Sequence, residues 1–296
     1  MSDVTLATST RTNLLSLQRT STLIGRTQER LASGLKVNSA IDDALAFFKA
    51  RNLNARAGDL NAIKDQISNG ISTIKAAVQG LETIETTLKQ MKALAQSAVS
   101  SPESSTRAKL ASQFNELRSQ VDNITEDSSF NGINLLKNTT GAFQSGADSL
   151  TVRFNERTTA NAINQLVVSG LNTSDFNTIT ARSAVATGTA GNTTVWGQTG
   201  TAAITAINTA IRAIDSALVT VRQSAQSLGT NSSMLEIRRQ FTENLVNTLN
   251  GGASQLVNAD LNEESANLLS LQTRQQLGTI SLGIAQQSEQ SVLRLF

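Results

Sequence analysis

A seven-residue repeat of apolar side chains dominates the sequence between residues 42 and 100. Seven positions at strict intervals of seven are Leu53, Leu60, Ile67, Ile74, Leu81, Leu88 and Ala95. A second apolar set accompanies them at Ile63, Ala77, Ile84, Met91 and Ala98, and no proline interrupts the stretch. This pattern predicts a coiled-coil helix of roughly 90 Å at about 1.5 Å per residue. Because that is too long for the interior of a compact domain, the helix must pack along other long helices.

Three more segments have helical spacing. Ser101 and Pro102 suit the N-cap and first position of a second helix, whose apolar positions are Leu110, Phe114, Leu117, Val121 and Ile124. A third helix is predicted to reach about Asn250, before Gly251 and Gly252, with one face at Ile204, Ile207, Ile211, Ile214, Leu218, Val221, Ala225 and Leu228. A last segment carries Leu261, Leu268, Leu271, Leu282 and Ile284.

Between residues 137 and 200 the spacing of the apolar residues no longer follows a helical period. Alternation at Leu150, Val152 and Phe154, and an apolar patch at residues 165–168, predict short strands. We therefore expect a mainly α fold, a long antiparallel coiled-coil bundle formed by the N- and C-terminal arms. A small β-hairpin and loop region is inserted between the arms and is expected to close the bundle at one end. Trp196 is expected to be a packing residue of this outer segment rather than a sugar-binding platform.

Composition excludes most enzyme chemistries. Cysteine, histidine and tyrosine are absent, which removes thiolate nucleophiles, imidazole bases, disulfides and the usual zinc and copper ligands. We expect no catalytic, cofactor or metal site. The 25 basic and 23 acidic residues form no dense basic block, which argues against nucleic-acid binding. The sequence contains no run of 18 or more apolar residues, which argues against a membrane-spanning helix. The N-terminus lacks the features of a secretory signal, so the ordinary rules favour a cytosolic protein.

Both ends of the chain are nearly uncharged. Only Arg274, Glu289 and Arg294 are charged from residue 265 onward, and only Asp3, Arg11 and Arg19 before Arg26. A helix exposed to water usually carries charges opposite its apolar face, so we infer that both ends are buried in an assembly. The predicted interface consists of Leu14, Leu17, Ile24, Leu31, Leu35, Leu268, Leu271, Leu282, Ile284, Leu295 and Phe296.

Asp42 and Asp43 lie side by side at the start of the long helix. They allow two interpretations: a carboxylate pair for acid/base chemistry or a hard metal ion, or a helix start in which Asp42 is the cap and Asp43 complements the helix dipole. We favour the helix start because no base, nucleophile or glycine-rich phosphate loop accompanies them. A further hypothesis is that they meet Arg26, Arg30 or Lys36 of a neighbouring subunit.

Four stretches together resemble bacterial flagellin. They are LASGLKVNSAIDDA at residues 31–44, SFNGINLL at 129–136, NADLNEESANLLSLQTRQQLG at 258–278 and the closing SVLRLF. The resemblance implies a structural, extracellular subunit that self-assembles into the flagellar filament used for motility. Residues 1–41 and 261–296 would form an inner helical domain lining the channel, 42–137 and 201–260 the rod helices, and 138–200 the β-rich outer part with a surface-exposed variable segment.

The resemblance also implies partners and a route of export. The partners are further copies of the chain, an export chaperone, the filament cap and hook-junction proteins. Export would run through the flagellar secretion apparatus without a cleaved signal peptide. Some flagellins activate an animal innate receptor through Gln-Arg-x-Arg-Glu-Leu; the degenerate equivalent here is Lys89, Gln90, Met91, Lys92, Ala93 and Leu94, which predicts weak activation.

Three alternatives remain open at this point. A hook–filament junction protein has similar arms, although the full pattern at residues 258–278 and the SFNGINLL turn disfavour it. A cytoplasmic coiled-coil signalling hairpin would need neither the β interruption nor the uncharged ends. A helical enzyme would depend on Asp, Glu, Lys, Arg or Ser, for which no clustered set is found.

Overall fold

The computed structural model describes residues 8–137, 148–156, 164–171, 196–197 and 200–293. They contain five α-helices and one two-stranded sheet. The elements in chain order are α1 (Thr8–Ser33), α2 (Ala44–Ser100), α3 (Ser104–Asp127), β1 (Ser149–Arg153), β2 (Gln165–Ser169), α4 (Thr201–Val257) and α5 (Leu261–Leu293). The mainly α class with a small β-hairpin is confirmed. The chain divides into an end unit, Met1–Gly58 with Asn247–Phe296, and a central unit, Asp59–Val246.

The predicted α2 seam forms the core of the central unit. Ile67, Ile74, Leu81, Leu88 and Ala95 are completely buried, and Leu60 is nearly so. The second apolar set is buried along with them. Since each fully buried large apolar side chain contributes about 1.5–3 kcal/mol, this seam is the main reason that α2 stays helical over 57 residues.

Ion pairs show that α4 runs antiparallel to α2 within the central unit. Lys92 of α2 contacts Asp215 of α4 at 2.5 Å, and Glu85 accepts hydrogen bonds from Arg222 at 3.0 Å. On the predicted face of α4, Ile207, Ile214, Leu218, Val221 and Leu228 are buried. Ile204 is exposed, so its predicted place on the buried face is wrong. Ala203 of the same first turn is buried; at about 100° per residue, Ile204 lies about 60° around the helix from Ile207 and so falls at the edge of the packed face.

Two helix boundaries differ from those predicted. Helix α3 begins at Ser104 with Glu103 in the N-cap position, because the Ser101 and Pro102 carbonyls accept hydrogen bonds from the buried Arg107 and belong to the preceding turn. Helix α4 continues through Gly251 and Gly252 to Val257. A glycine costs only about 1 kcal/mol in a helix interior, which packing of the surrounding turns outweighs.

The predicted strands form an antiparallel hairpin in which Leu150 pairs with Val168 and Val152 with Leu166. Leu150, Val152 and Val168 are buried. A Cβ added to Gly70 of α2 would lie 2.7 Å from Val152 and 3.5 Å from both Leu150 and Leu235. The hairpin therefore packs against α2 and α4 about midway along them, and the expectation that it closes the bundle at one end is wrong. Glycine at position 70 is what permits this close approach.

Trp196 is a packing residue, as predicted, but it packs on the helices rather than within an outer segment. Its ring centroid lies 5.1 Å from that of Phe114 on α3, and both rings are buried. Its carbonyl accepts a hydrogen bond from the Arg107 Nε at 3.0 Å. Arg107 thereby joins the residue that leads into α4 to the turn between α2 and α3. Most of the predicted outer segment, residues 138–200, lies outside the described residues.

Candidate assembly surface

The end unit is built on the packing of α1 against α5. Ile24 is buried, and Leu17, Leu31, Leu268, Leu271 and Leu282 are half-buried. A Cβ added to Gly278 would lie 3.3 Å from two side-chain carbons of Leu17, so the helices approach closely there. These predicted interface residues are thus partly covered by the chain's own helices. Leu295 and Phe296 lie outside the described residues.

Helix α5 has a second apolar face that nothing in the described structure covers. Leu269, Leu277, Ile280 and Ile284 are 67%, 63%, 59% and 61% exposed. At 100° per residue these side chains lie on the side of α5 opposite Leu268, Leu271 and Leu282. We call these four residues the bare α5 face. Only Ile284 was among the predicted interface residues. The prediction for α5 assumed a single apolar stripe and so missed the other three, although a helical projection of the sequence displays two stripes.

Helix α1 also presents apolar side chains outward. Leu14, Leu15 and Leu23 are each more than 40% exposed. A shallow groove on α1 is lined by Leu15, Gln18, Arg19, Thr22, Leu23 and Arg26, and one on α5 by Ala266, Leu269, Ser270, Thr273, Arg274 and Leu277. Both grooves are formed mainly by apolar and uncharged polar groups. Such surfaces gain free energy when another helix covers them.

Within the end unit, the segment that follows α1 is hydrogen-bonded to the segment between α4 and α5, and we call this contact the joint. Leu35 and Asn258 form an antiparallel bridge, with Lys36 donating to the Val257 carbonyl at 2.8 Å and Ala259 donating to that of Gly34 at 2.9 Å. Arg30 of α1 contacts Glu264 of α5 at 3.0 Å. Gly34 adopts a φ of 72°, a conformation that favours glycine. Leu35 therefore belongs to this internal joint.

Asp42 and Asp43 have different roles from those expected. Asp43 is the N-cap of α2, since its Oδ1 accepts a hydrogen bond from the Ala46 amide at 2.9 Å. Asp42 instead closes the preceding turn, where its Oδ2 accepts from the amides of Ser39 and Asn38 at 3.0 and 3.2 Å. The hydrogen bonds from Ser39 lower the pKa of Asp42. The two carboxylates shape the chain at the start of α2, which favours the helix-start interpretation.

We expect Asp43→Ala to destabilise the protein by about 1 kcal/mol, because the Ala46 amide loses its acceptor. Asp43→Asn keeps an acceptor oxygen at this position and should be nearly neutral. Urea unfolding followed by circular dichroism measures both. Equal destabilisation by the two variants would mean that the charge, and not the hydrogen bond, is what matters.

The stretch equivalent to the innate-receptor motif lies on α2 in the central unit. Lys89 contacts Glu85 at 3.0 Å, Lys92 contacts Asp215, and Met91 is buried. Gln90 and Ala93 are exposed, and Leu94 is half-buried. Hydrogen bonds from Lys89 and Arg222 lower the pKa of Glu85. Both lysines of this stretch are therefore engaged in ion pairs within the chain.

Comparison with known proteins identifies the family. Models of the bacterial flagellin N-terminal and C-terminal helical regions match residues 2–141 and 211–296. The chain belongs to the bacterial flagellin family. This flagellin is 36% identical to flagellin FljM of Caulobacter vibrioides over 96% of this chain and 94% of that protein. It is 26% identical to a flagellin of Brucella melitensis over 100% of this chain and 99% of that protein.

A solved structure shares the fold. A putative flagellar hook-associated protein from Vibrio parahaemolyticus matches with a TM-score of 0.58 and 15% identity, covering 73% of this chain and 100% of that chain. Identity this low shows the fold alone, so the hook-junction alternative is not better supported than a flagellin. This flagellin is a structural subunit of the extracellular flagellar filament, the helical polymer that acts as the propeller in swimming. Within the described residues there is no group of three or more metal-ligating side chains.

Proposed function

We propose that this flagellin polymerises through the outward faces of α1 and α5, chiefly the bare α5 face. The observation that supports this is the set of four large apolar side chains left exposed opposite the α1 contact. Leu14 and Ile284, both predicted interface residues, belong to these outward faces. Leu17, Ile24, Leu31, Leu268, Leu271 and Leu282 would support the interface by holding the α1–α5 pair together, as would Leu35 at the joint.

Burial of the bare α5 face would supply the driving force. Each of its four side chains contributes about 1.5–3 kcal/mol when fully buried, and ordering of the ends offsets part of that gain. Because Gln and Ser outnumber the charged residues of α5 by eleven to four, a neighbouring helix can cover the bare α5 face without burying unpaired charges. Each copy then contacts the next through two unlike surfaces. Because such contacts do not close into a ring, further copies can be added and the polymer grows as a helical tube.

The proposed domain organisation follows the predicted boundaries. Residues 1–41 and 261–296 form the inner domain around the channel, 42–137 and 201–260 the rod, and 138–200 the outer part. The proposed partners beyond the chain itself are the export chaperone, the filament cap and hook-junction proteins. Export occurs through the flagellar secretion apparatus without a cleaved signal peptide, and the chain has no enzymatic, nucleic-acid-binding or metal-binding role.

Membrane insertion is not part of the proposed function. Helix α4 contains a window apolar enough to span a bilayer by composition. Several apolar side chains of α4, including Ile207, Ile214 and Val221, are buried in the central unit. Core helices of soluble proteins have this composition for the same reason, namely that their apolar side chains pack against other helices.

Electron microscopy of the purified protein tests the proposal. The intact chain should form filaments, whereas chains lacking residues 1–41 or 261–296 should remain dispersed at the same concentration. Filaments formed by both truncated chains would overturn the assignment of assembly to the ends. The mass fraction of this protein in filaments sheared from cells separates the filament subunit, which is abundant, from a junction protein, which is scarce.

We expect weak activation of the animal innate receptor. The motif's two arginines and its glutamate are replaced, and Lys89 and Lys92 are engaged with Glu85 and Asp215. A reporter-cell assay with monomeric protein measures this. A matched control restores the motif with Lys89→Gln, Gln90→Arg, Lys92→Arg and Ala93→Glu, which should raise the response. A strong response to the unmodified chain at low concentration would contradict the prediction.

A further inference from the structure

Sulfur is the atom of a protein side chain that a peroxide oxidises most readily. This chain has no cysteine, so the only sulfur atoms it offers are those of its three methionines. A methionine thioether is oxidised when the oxidant can reach its sulfur, and susceptibility therefore follows exposure. The burial of each methionine decides where the folded chain can be modified.

The two methionines that the structure describes differ in exposure. Met91 of α2 is completely buried in the core of the central unit, whereas Met234 of α4 is 43% exposed. Met1 lies outside the described residues. Of the methionines that are described, Met234 is the one whose side chain solvent reaches.

The side of α4 that carries Met234 faces away from the packed core. Met234 forms a row with Ile237 and Phe241 at helical spacing, and both of these residues are also exposed. The next residue along the chain, Leu235, is buried and lies against Gly70 of α2. At about 100° per residue, Leu235 lies on a different side of the helix from Met234. An oxidant can therefore reach Met234 without any separation of α4 from α2.

The two positions also differ in what oxidation would do to the fold. Oxidation converts an apolar thioether into a polar sulfoxide. At Met91 the new oxygen would lie in an apolar core, where a polar group without a hydrogen-bond partner is costly. At Met234 the new oxygen can be hydrated, because this side chain is partly in water already. The position that is open to the oxidant is thus the one that tolerates the product.

We propose that Met234 is the site at which hydrogen peroxide modifies the folded chain. A lone pair of the Met234 Sδ attacks one peroxide oxygen, so that an S–O bond forms and the O–O bond breaks. The leaving hydroxide takes up the proton of the transferred oxygen and departs as water. The sulfur loses two electrons and the peroxide gains them. The product is a methionine sulfoxide, which gives one end of an exposed apolar row a polar group. This modification requires only the folded single chain, so it does not rest on the proposed function.

Peptide mass spectrometry of the monomer after brief treatment with excess hydrogen peroxide tests the assignment. The peptide that contains Met234 should gain one oxygen atom at least tenfold faster than the peptide that contains Met91, because only the former is exposed. In the chain unfolded by urea the two rates should become equal, since both thioethers are then in water. Equal rates in the folded chain, or a faster rate at Met91, would overturn the proposal. A difference that persists in the unfolded chain would also overturn it, because burial would then not be its cause.

Met234→Leu is the matched control, since leucine has a similar volume and no atom that peroxide oxidises. The unfolding temperature of the unmodified chain should be the same before and after the treatment, as should that of the variant. A fall that occurs only in the unmodified chain would show that the side chain at position 234 supports the core. A fall that occurs in both would place the damage at another residue. Either result would contradict the assignment of Met234 as a tolerated surface site.

Discussion

Leu277→Asp is expected to abolish filament formation while leaving the monomer folded. Leu277 is 63% exposed in the single chain and belongs to the bare α5 face, so the monomer loses little packing. In the polymer the substitution removes about 1.5–3 kcal/mol of apolar burial and places a carboxylate in a water-poor interface. A rise in critical concentration of at least a hundredfold is expected, which corresponds to about 2.7 kcal/mol. Sedimentation of polymer from monomer measures it.

Gln272→Asp is the matched control for this prediction. Gln272 is an exposed residue of α5 that lies between its two apolar faces, and the variant carries the same new charge. It should polymerise at nearly the concentration of the unmodified chain. If the two variants polymerise equally well, the bare α5 face is not an interface. If both fail, charge on α5 opposes assembly wherever it is placed, and the assignment of this particular face is wrong.

Trp196→Ala is expected to destabilise the central unit by about 3–5 kcal/mol, the usual cost of removing a buried large aromatic side chain. Trp196 is only 2% exposed, and its ring packs on Phe114. The loss leaves a cavity beside the turn between α2 and α3, where Arg107 holds three backbone carbonyls. The expected result is a fall in unfolding temperature of about 10 °C, measured by circular dichroism.

Trp196→Phe distinguishes ring packing from a general intolerance at this position. It keeps an aromatic ring against Phe114 and the carbonyl that Arg107 binds, so it should lose less than half as much stability. Trp196 is the only tryptophan, so tryptophan fluorescence of the unmodified chain reports on this site alone. A shift of that fluorescence on unfolding is an independent measure of the loss of packing around Trp196. An unchanged unfolding temperature for Trp196→Ala would contradict the packing role.

Several features were predictable because they are local. The buried positions of α2 follow from a repeat that needs only the geometry of one helix, and the hairpin strands follow from alternation at Leu150 and Val152. The cap at the start of α2 was predictable in kind, since Asp residues favour this position. The sequence did not predict which of the two adjacent carboxylates is the N-cap, because that depends on whether the backbone directs Asp42 or Asp43 toward the Ala46 amide.

The sequence by itself determined the helical seams, the uncharged ends and the resemblance to flagellin, because periodicity and residue type act over a few turns of one helix. Only the tertiary structure decided which of the two apolar faces of α5 is covered by α1 and which stays bare. It also decided that the hairpin packs at Gly70 and that Trp196 packs on Phe114. These contacts join residues distant in the chain, so their free energy depends on how whole helices align, which no local pattern specifies.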